Sequence, residues 1–152
     1  MAGLIRPAQP AQAPVLSDLA QRSKAHWGYP ADFMQAVVAE LTYSPESIRR
    51  HPTQVLMDGE QVLGFYQLQA TSAEAVELEA LFVDPQHLRQ GLGGKLFRHA
   101  VLWAQSQGFQ EMTIQSDPHA AAFYAIQGCT QVGEMASLSI PGRQLPLFRL
   151  SL

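Results

Sequence analysis

The residues best suited to chemistry lie in the run Val83-Asp84-Pro85-Gln86-His87-Leu88-Arg89-Gln90-Gly91-Leu92-Gly93-Gly94-Lys95-Leu96. A strand ends at Val83 and a glycine-rich loop feeds a helix. From Gln86 to Lys95 there is no proline, so every residue there offers a backbone N–H. Gly91, Gly93 and Gly94 carry no side chain to block a close approach, and the helix start adds unpaired N–H groups and the positive end of its dipole. Such a loop suits an anion, above all a phosphate. Arg89 and Lys95 add positive charge beside it. The plainer alternative is a tight strand-to-helix turn and nothing more. Two common phosphate motifs fail on their own rules. The P-loop needs glycine at Arg89 and Ser or Thr at Leu96, and the dinucleotide fingerprint counted from Gly91 needs glycine at Leu96.

A second group follows in Asp117-Pro118-His119-Ala120-Ala121-Ala122-Phe123-Tyr124-Ala125-Ile126-Gln127-Gly128. Asp117 is a good helix N-cap and Pro118 a good first helical residue. The alanines are small enough for the helix to lie close to a ligand. Phe123 and Ile126 define the expected core stripe, with Tyr124 turned about 100° from Phe123 to its border. Taken by itself, Tyr124 is an ordinary amphipathic residue at a core edge. Glu77 and Glu79, two apart on a predicted strand, share one of its faces.

The elements that must position these groups follow from periodicity and punctuation. Gly3–Arg6 is a short strand closed by Pro7. Ser17–Trp27 is helical, and Gly28-Tyr29-Pro30 breaks it. Asp32 caps a second helix with Phe33, Val37, Val38 and Leu41 on one face. Ser44-Pro45 starts a short helix Glu46–Arg50. The period then changes. Gln54–Met57, Val62–Leu68 and Ala75–Val83 read as an antiparallel meander, with Asp58-Gly59 as its first turn. Gly93–Gln107 is a helix ended by Gly108, and Gln110–Gln115 a strand. The helix from Asp117 to Gln127 follows, then strands Val132–Ile140 and Leu145–Leu150 around Pro141-Gly142. The expectation is one α/β domain over residues 1–152, with a mixed, mostly antiparallel sheet flanked by helices on both faces.

Composition narrows the function classes. The chain has 152 residues, 47% of them hydrophobic and 15% charged, which is a globular balance. A net charge of −3 disfavours tight nonspecific nucleic-acid binding. One cysteine, Cys129, leaves no disulfide framework, and the five histidines show no metal-ligand spacing, so no metal is expected. No apolar run approaches the length of a membrane span, and Met1–Pro7 lacks a signal-peptide stretch; a soluble cytoplasmic protein is expected.

The strand Glu77-Leu78-Glu79-Ala80-Leu81-Phe82-Val83-Asp84-Pro85 followed by Gly91-Leu92-Gly93 resembles the acetyl-CoA signature of the GNAT superfamily of N-acetyltransferases. The second motif agrees: Asp117 stands seven residues before the tyrosine of Phe123-Tyr124, and Gly128 follows. An Ile5-Arg6-Pro7 start is also typical, and the order of elements matches over nearly the whole chain. One departure is Leu88, where the family usually has Arg or Gln.

The resemblance implies acetyl transfer from acetyl-CoA to a primary amine of a small molecule or peptide, by direct attack. It assigns coenzyme contacts to Leu81, Phe82 and Val83, to Leu88, Arg89, Gln90, Gly91, Leu92, Gly93, Gly94 and Lys95, and to Asp117 and Tyr124. It makes Tyr124 the acid that protonates the departing thiolate. Glu79 becomes the first choice of base, directly or through water, with Glu77 behind it and ordered water as an alternative. The free amine, with a pKa near ~10 if lysine-like, must lose a proton before it attacks. Trp27 and Tyr29 border the implied acceptor pocket, where they either stack on a substrate or simply pack. His119 either bonds near the coenzyme or is an exposed first-turn residue. Cys129 is expected to be buried. Ser139–Pro146 either walls the acceptor site or serves an oligomer contact; dimers are common among such enzymes. Two rivals remain: a noncatalytic CoA or acyl-CoA sensor, which would not need Tyr124, and a glycine-loop nucleotide binder.

Overall fold

A computed structural model describes residues 3–152; Met1 and Ala2, part of the expected 1–152 domain, lie outside the described residues. Seven strands form one sheet: β1 (Leu4–Pro7), β2 (Thr53–Asp58), β3 (Gln61–Ala70), β4 (Ala75–Val83), β5 (Glu111–Gln115), β6 (Thr130–Ala136) and β7 (Gln144–Ser151). The spatial order is β1-β2-β3-β4-β5-β7-β6. All neighbours are antiparallel except β4 and β5. That parallel pair requires a crossover, which the helix α4 (Leu92–Ser106) supplies.

The helices divide between the two faces. α1 (Ala13–Ala25), α2 (Ala31–Val37) and α3 (Pro45–Arg50) cover one, where Leu16, Leu19, Val37, Tyr43, Val55 and Phe65 form a core. On the other face, α4 and α5 (Ala121–Ile126) enclose Leu56, Tyr66, Leu68, Leu96, Phe97 and Met112. Strand alternation sends β3 side chains to both cores in turn: Phe65 to the first, Tyr66 to the second. Each such fully buried side chain stabilises the fold by roughly 1.5–3 kcal/mol.

Several boundaries differ from the sequence reading, each for a local reason. α1 begins at Ala13 rather than Ser17, because Pro14 sits in its first turn, where a missing N–H costs nothing. α2 starts after Pro30, and the Asp32 carboxylate bonds only to the next residue's N–H, so it is not the cap. α3 has the expected start, with reciprocal bonds between Ser44 and Ser47. The segment after Asp117 is a 3₁₀ turn, Pro118–Ala120, before α5 proper begins.

Two irregularities shape the centre of the sheet. In the β3–β4 register Gln67 lies opposite Ala80 and Leu68 opposite Leu78, so Glu79 has no partner and forms a β-bulge. The bulge reverses the strand's parity. Val76 and Leu78 face the α4 side before it, while Ala80 and Phe82 face the α1 side after it. The β4–β5 pairing covers only Ala75–Glu77 against Glu111–Thr113. Beyond those pairs the strands part, and the β5-facing edge of β4 from Leu78 onward has no strand beside it. Gly64 on β3 permits this crowded region to close: a Cβ there would lie 2.8 Å from the Phe82 carbonyl oxygen and 2.9 Å from Leu96 Cδ1.

Candidate active site

The parted strands open on a cavity of about 650 Å³. Leu81, Phe82 and Val83 from β4 line it, as do Leu88 and Arg89 from the loop and Gly91, Leu92, Gly93 and Gly94 at the start of α4. Asp117, Tyr124, Glu77 and Glu79 line it too. Gln90 and Lys95 do not. The Lys95 ammonium turns instead to the Gly3 carbonyl oxygen, 2.5 Å away, and ties α4 to the start of β1.

The loop has the character of an anion cradle. None of the main-chain N–H groups from Leu88 through Gly94 hydrogen-bonds to a described residue; the first bond of α4 runs from Lys95 N–H to the Gly91 carbonyl. Such a run of free donors, at the positive end of the α4 dipole and along a cavity wall, suits an anion. Arg89 at φ +64° and Gly91 at φ +75° both adopt the left-handed conformation. In a non-glycine residue this is a local strain of the sort that collects at ligand clamps. The three glycines serve different ends. Gly91 provides the left-handed cap, whereas a Cβ on Gly93 would press on the Phe123 ring at 3.3 Å, so Gly93 lets α4 and α5 approach. The loop is anchored at its root. Buried Asp84 accepts from Gln86 N–H at 2.9 Å and from Arg22 Nη1 at 3.2 Å, binding it to α1.

Tyr124 is 6% exposed, while Ile126 is 82% exposed. Of the expected stripe, Phe123 packs against the core and Ile126 does not. The short 3₁₀ entry rotates α5 so that Tyr124 takes the inward position, against Phe97, Phe123 and Phe148. Its hydroxyl hydrogen-bonds to no described residue and borders the cavity. Burial pushes its pKa well above that of a free phenol, with the nearby Cys129 and Asp117 adding to it, so the group stays protonated. Cys129 is itself buried, and burial lifts its thiol to about 11.

Glu79 enters the cavity from the opposite face of the sheet. Its carboxylate accepts a hydrogen bond from Tyr43 Oη at 3.3 Å. Burial pushes its pKa up to about 7; the Tyr43 bond works against the rise, and Glu77 and Glu40 add to it. Glu77, which shares this face, accepts from Gln115 Nε2 at 3.1 Å, and burial raises its pKa as well.

Around Asp117 the structure gathers residues that the sequence left separate. Lys24 Nζ at the end of α1 donates to its carboxylate at 2.5 Å. Tyr29 Oη donates at 2.9 Å, and Arg143 Nη2 donates to Tyr29 Oη at 2.8 Å and to Asp117 at 3.4 Å. Asp117 also accepts from His119 N–H at 2.8 Å, capping the turn into α5. Burial alone would raise this carboxyl, but the bond and charge of Lys24 outweigh it, and its pKa falls below the ordinary value. Trp27 and Tyr29 stack on His119 and Phe33, at 5.0 and 3.9 Å between centroids. Lys24 and Arg143 thus line the cavity, and Tyr29, the one of the three that the sequence singles out, is tied to it through Asp117. Nothing in the spacing pairs residues 24, 117 and 143.

The acetyltransferase (GNAT) family model matches residues 17–129. The fold aligns with a GCN5-related N-acetyltransferase from Rhodopseudomonas palustris, at a TM-score of 0.82 and 19% identity, over 100% of this chain and 97% of that one. It also aligns with PaiA N-acetyltransferase from Thermoplasma acidophilum in complex with coenzyme A, at 0.81 and 18%, over 100% of both chains. A third is the ribosomal-protein alanine N-acetyltransferase from Escherichia coli, at 0.73 and 20%, over 99% of this chain and 94% of that one. No curated protein matches the chain in sequence. Among the described residues no helix is long and apolar enough to cross a membrane.

Proposed function

The chain belongs to the acetyltransferase (GNAT) family and is an acetyl-CoA-dependent acyltransferase, and from that premise we propose that it acetylates a primary amine of a small molecule or peptide by direct attack. The observation that carries this reading is the meeting of three things in one cavity: a run of unpaired main-chain N–H groups, a buried protonated tyrosine and a carboxylate with a pKa near 7.

Acetyl-CoA supplies the activated acetyl thioester when bound. The N–H groups of Leu88, Arg89 and Gly91 through Gly94 would hold its diphosphate, assisted by the dipole of α4 and by Arg89. The free edge of β4 at Leu81–Val83 takes the extended arm as a sheet takes an added strand. A main-chain N–H of the same stretch faces the carbonyl oxygen as negative charge builds on it. Glu79, directly or through water, receives the proton that the amine must lose; a base with a pKa near 7 is matched to that task. Tyr124 hands its proton to the sulfur as the carbon–sulfur bond breaks and the carbon–nitrogen bond forms. It recovers a proton from solvent, to which Glu79 returns its own. A thiolate with a pKa of about 8.5 leaves more readily when a phenol can protonate it.

The test is release of free thiol from acetyl-CoA across a panel of amines, with Tyr124→Phe beside the wild type. At least one amine is expected to be turned over by the wild type and far more slowly by the variant. Tight CoA binding without acetylation of any amine would make the chain a sensor. Competition by ATP for the CoA site would favour a nucleotide binder.

A further inference from the structure

The family resemblance gives Asp117 to the coenzyme, but its carboxylate is otherwise engaged. It receives Lys24, Tyr29, Arg143 and its own helix turn, and its side chain is only 11% exposed. The partners come from three separate parts of the chain. Lys24 ends α1, Tyr29 lies in the α1–α2 connection, and Arg143 lies in the hairpin between β6 and β7. Asp117 stands on the fourth, just beyond β5, and caps the turn that leads to Tyr124. Lys24, Trp27, Arg143 and Asp117 all line the cavity.

The rings around this carboxylate reinforce the junction. The Arg143 guanidinium lies 4.9 Å from the Phe33 ring centroid and 5.4 Å from that of Tyr29. Trp27 lies flat on His119, two residues from Asp117, with 6° between the ring planes. One carboxylate holding two cations in a nearly dry setting is a strong junction, because removing the acid leaves two like charges buried side by side.

We infer that Asp117 is a positioning residue: it clamps the α1–α2 connection and the β6–β7 hairpin together as the acceptor-side wall of the cavity, and registers that wall to the helix carrying Tyr124, rather than ligating the coenzyme. The inference rests on the acetyl-transfer reading for its consequence, an ordered amine site. The clamp itself is testable without any amine.

Trp103→Phe leaves Trp27 as the sole tryptophan of the two in the chain. In that background Trp27, 44% exposed in the clamped state, reports the junction through acrylamide quenching. Asp117→Asn keeps a cap for α5 but removes the charge. It is expected to raise the quenching constant about twofold, toward that of a free indole, as the connection opens locally. Its dissociation constant for CoA by calorimetry is expected to stay within about twofold of the parent. Lys24→Met and Arg143→Met spare the cap altogether; each is expected to raise quenching likewise, which decides the matter should Asp117→Asn fail to fold. For an amine found by the panel above, Asp117→Asn is expected to raise the amine KM about tenfold or more, with the acetyl-CoA KM unchanged. Loss of CoA affinity by tenfold with unchanged quenching would overturn the inference and return Asp117 to the coenzyme. Absence of turnover in the wild type would count against the acetyl-transfer reading alone, since quenching and CoA affinity still judge the clamp.

Discussion

Replacing Glu79 by glutamine isolates the proposed proton acceptor. The side chain keeps its size and can still accept from Tyr43, but it no longer ionises. In the folded protein the wild-type carboxyl titrates near 7 rather than the usual 4.5, chiefly because it is buried. About one in ten Glu79 carboxyls is then ionised at pH 6 and about nine in ten at pH 8. The ratio of wild-type to Glu79→Gln kcat/KM therefore rises nearly tenfold over that interval, and the acceptor amine's own ionisation cancels because both enzymes share it. At the plateau the variant is slower by roughly 10²–10⁴, the usual worth of a positioned base. The assay is thiol release from acetyl-CoA at saturating coenzyme, in buffers of constant ionic strength. A ratio that is flat from pH 6 to pH 8 would refute the assignment, because an exposed carboxylate is fully ionised throughout. Tyr43→Phe provides an internal control. The lost hydrogen bond had favoured the ionised form, so the midpoint moves upward. Stability should run the other way. The folded-state pKa lies above the unfolded one, so the native chain holds the extra proton between about 4.5 and 7. The contribution of Glu79 is complete below the lower value and is lost as pH rises through the upper. At most about 3 kcal/mol is involved. Urea melts at pH 8 should find Glu79→Gln more stable than the wild type, and at pH 5 nearly equal to it.

Three further substitutions separate the parts of the site. Tyr124→Phe removes a hydroxyl that bonds to no described residue, so its melting temperature stays close to the wild type while kcat falls about 10²-fold or more; an unchanged kcat would remove Tyr124 from the proton path. Gly91→Val forces a β-branched residue into φ +75° at the cap of α4, and should weaken CoA binding at least tenfold by calorimetry without abolishing folding. Gly64→Ala drives a Cβ to within 2.8 Å of the Phe82 carbonyl oxygen, which cannot yield without moving β4, and should destabilise by about 1–3 kcal/mol in urea.

Much of the fold is written in local signals. Proline and glycine punctuation marks the ends of helices and turns at Pro45, Gly59, Gly108 and Gly142, and alternation separates the two faces of β3. The glycine loop is legible because an anion cradle is built from a contiguous run, so its parts are neighbours in the chain. Sequence proximity to the cradle says nothing of where a long side chain turns, and Lys95 bonds to Gly3, 92 residues away. Ile126 is misjudged because a 3₁₀ turn changes the phase of the helix that follows, and the hydrophobic stripe was counted without it. The union of Lys24, Tyr29 and Arg143 on Asp117 is invisible beforehand, since it depends on three loops meeting only after the sheet has formed. The raised pKa of Glu79 needs the tertiary structure for the same reason, because it comes from burial, which the Tyr43 hydrogen bond offsets only in part.

The unpaired position of Glu79 has a bearing on how such an enzyme is altered by mutation. Residues in register with a neighbouring strand are constrained by the partner opposite, so a change at one invites a compensating change at the other. Position 79 has no such opposite number in β3. The side chain that meets the acceptor is therefore mounted on a spare link of the backbone, and its chemistry can be exchanged while the ladder on either side keeps its partners. Even excision of the link would leave the ladder regular: Leu78 and Ala80 would become adjacent opposite Leu68 and Gln67, and Leu81, Phe82 and Val83 would keep their present faces, so that what is lost is the carboxylate and not the coenzyme-facing edge.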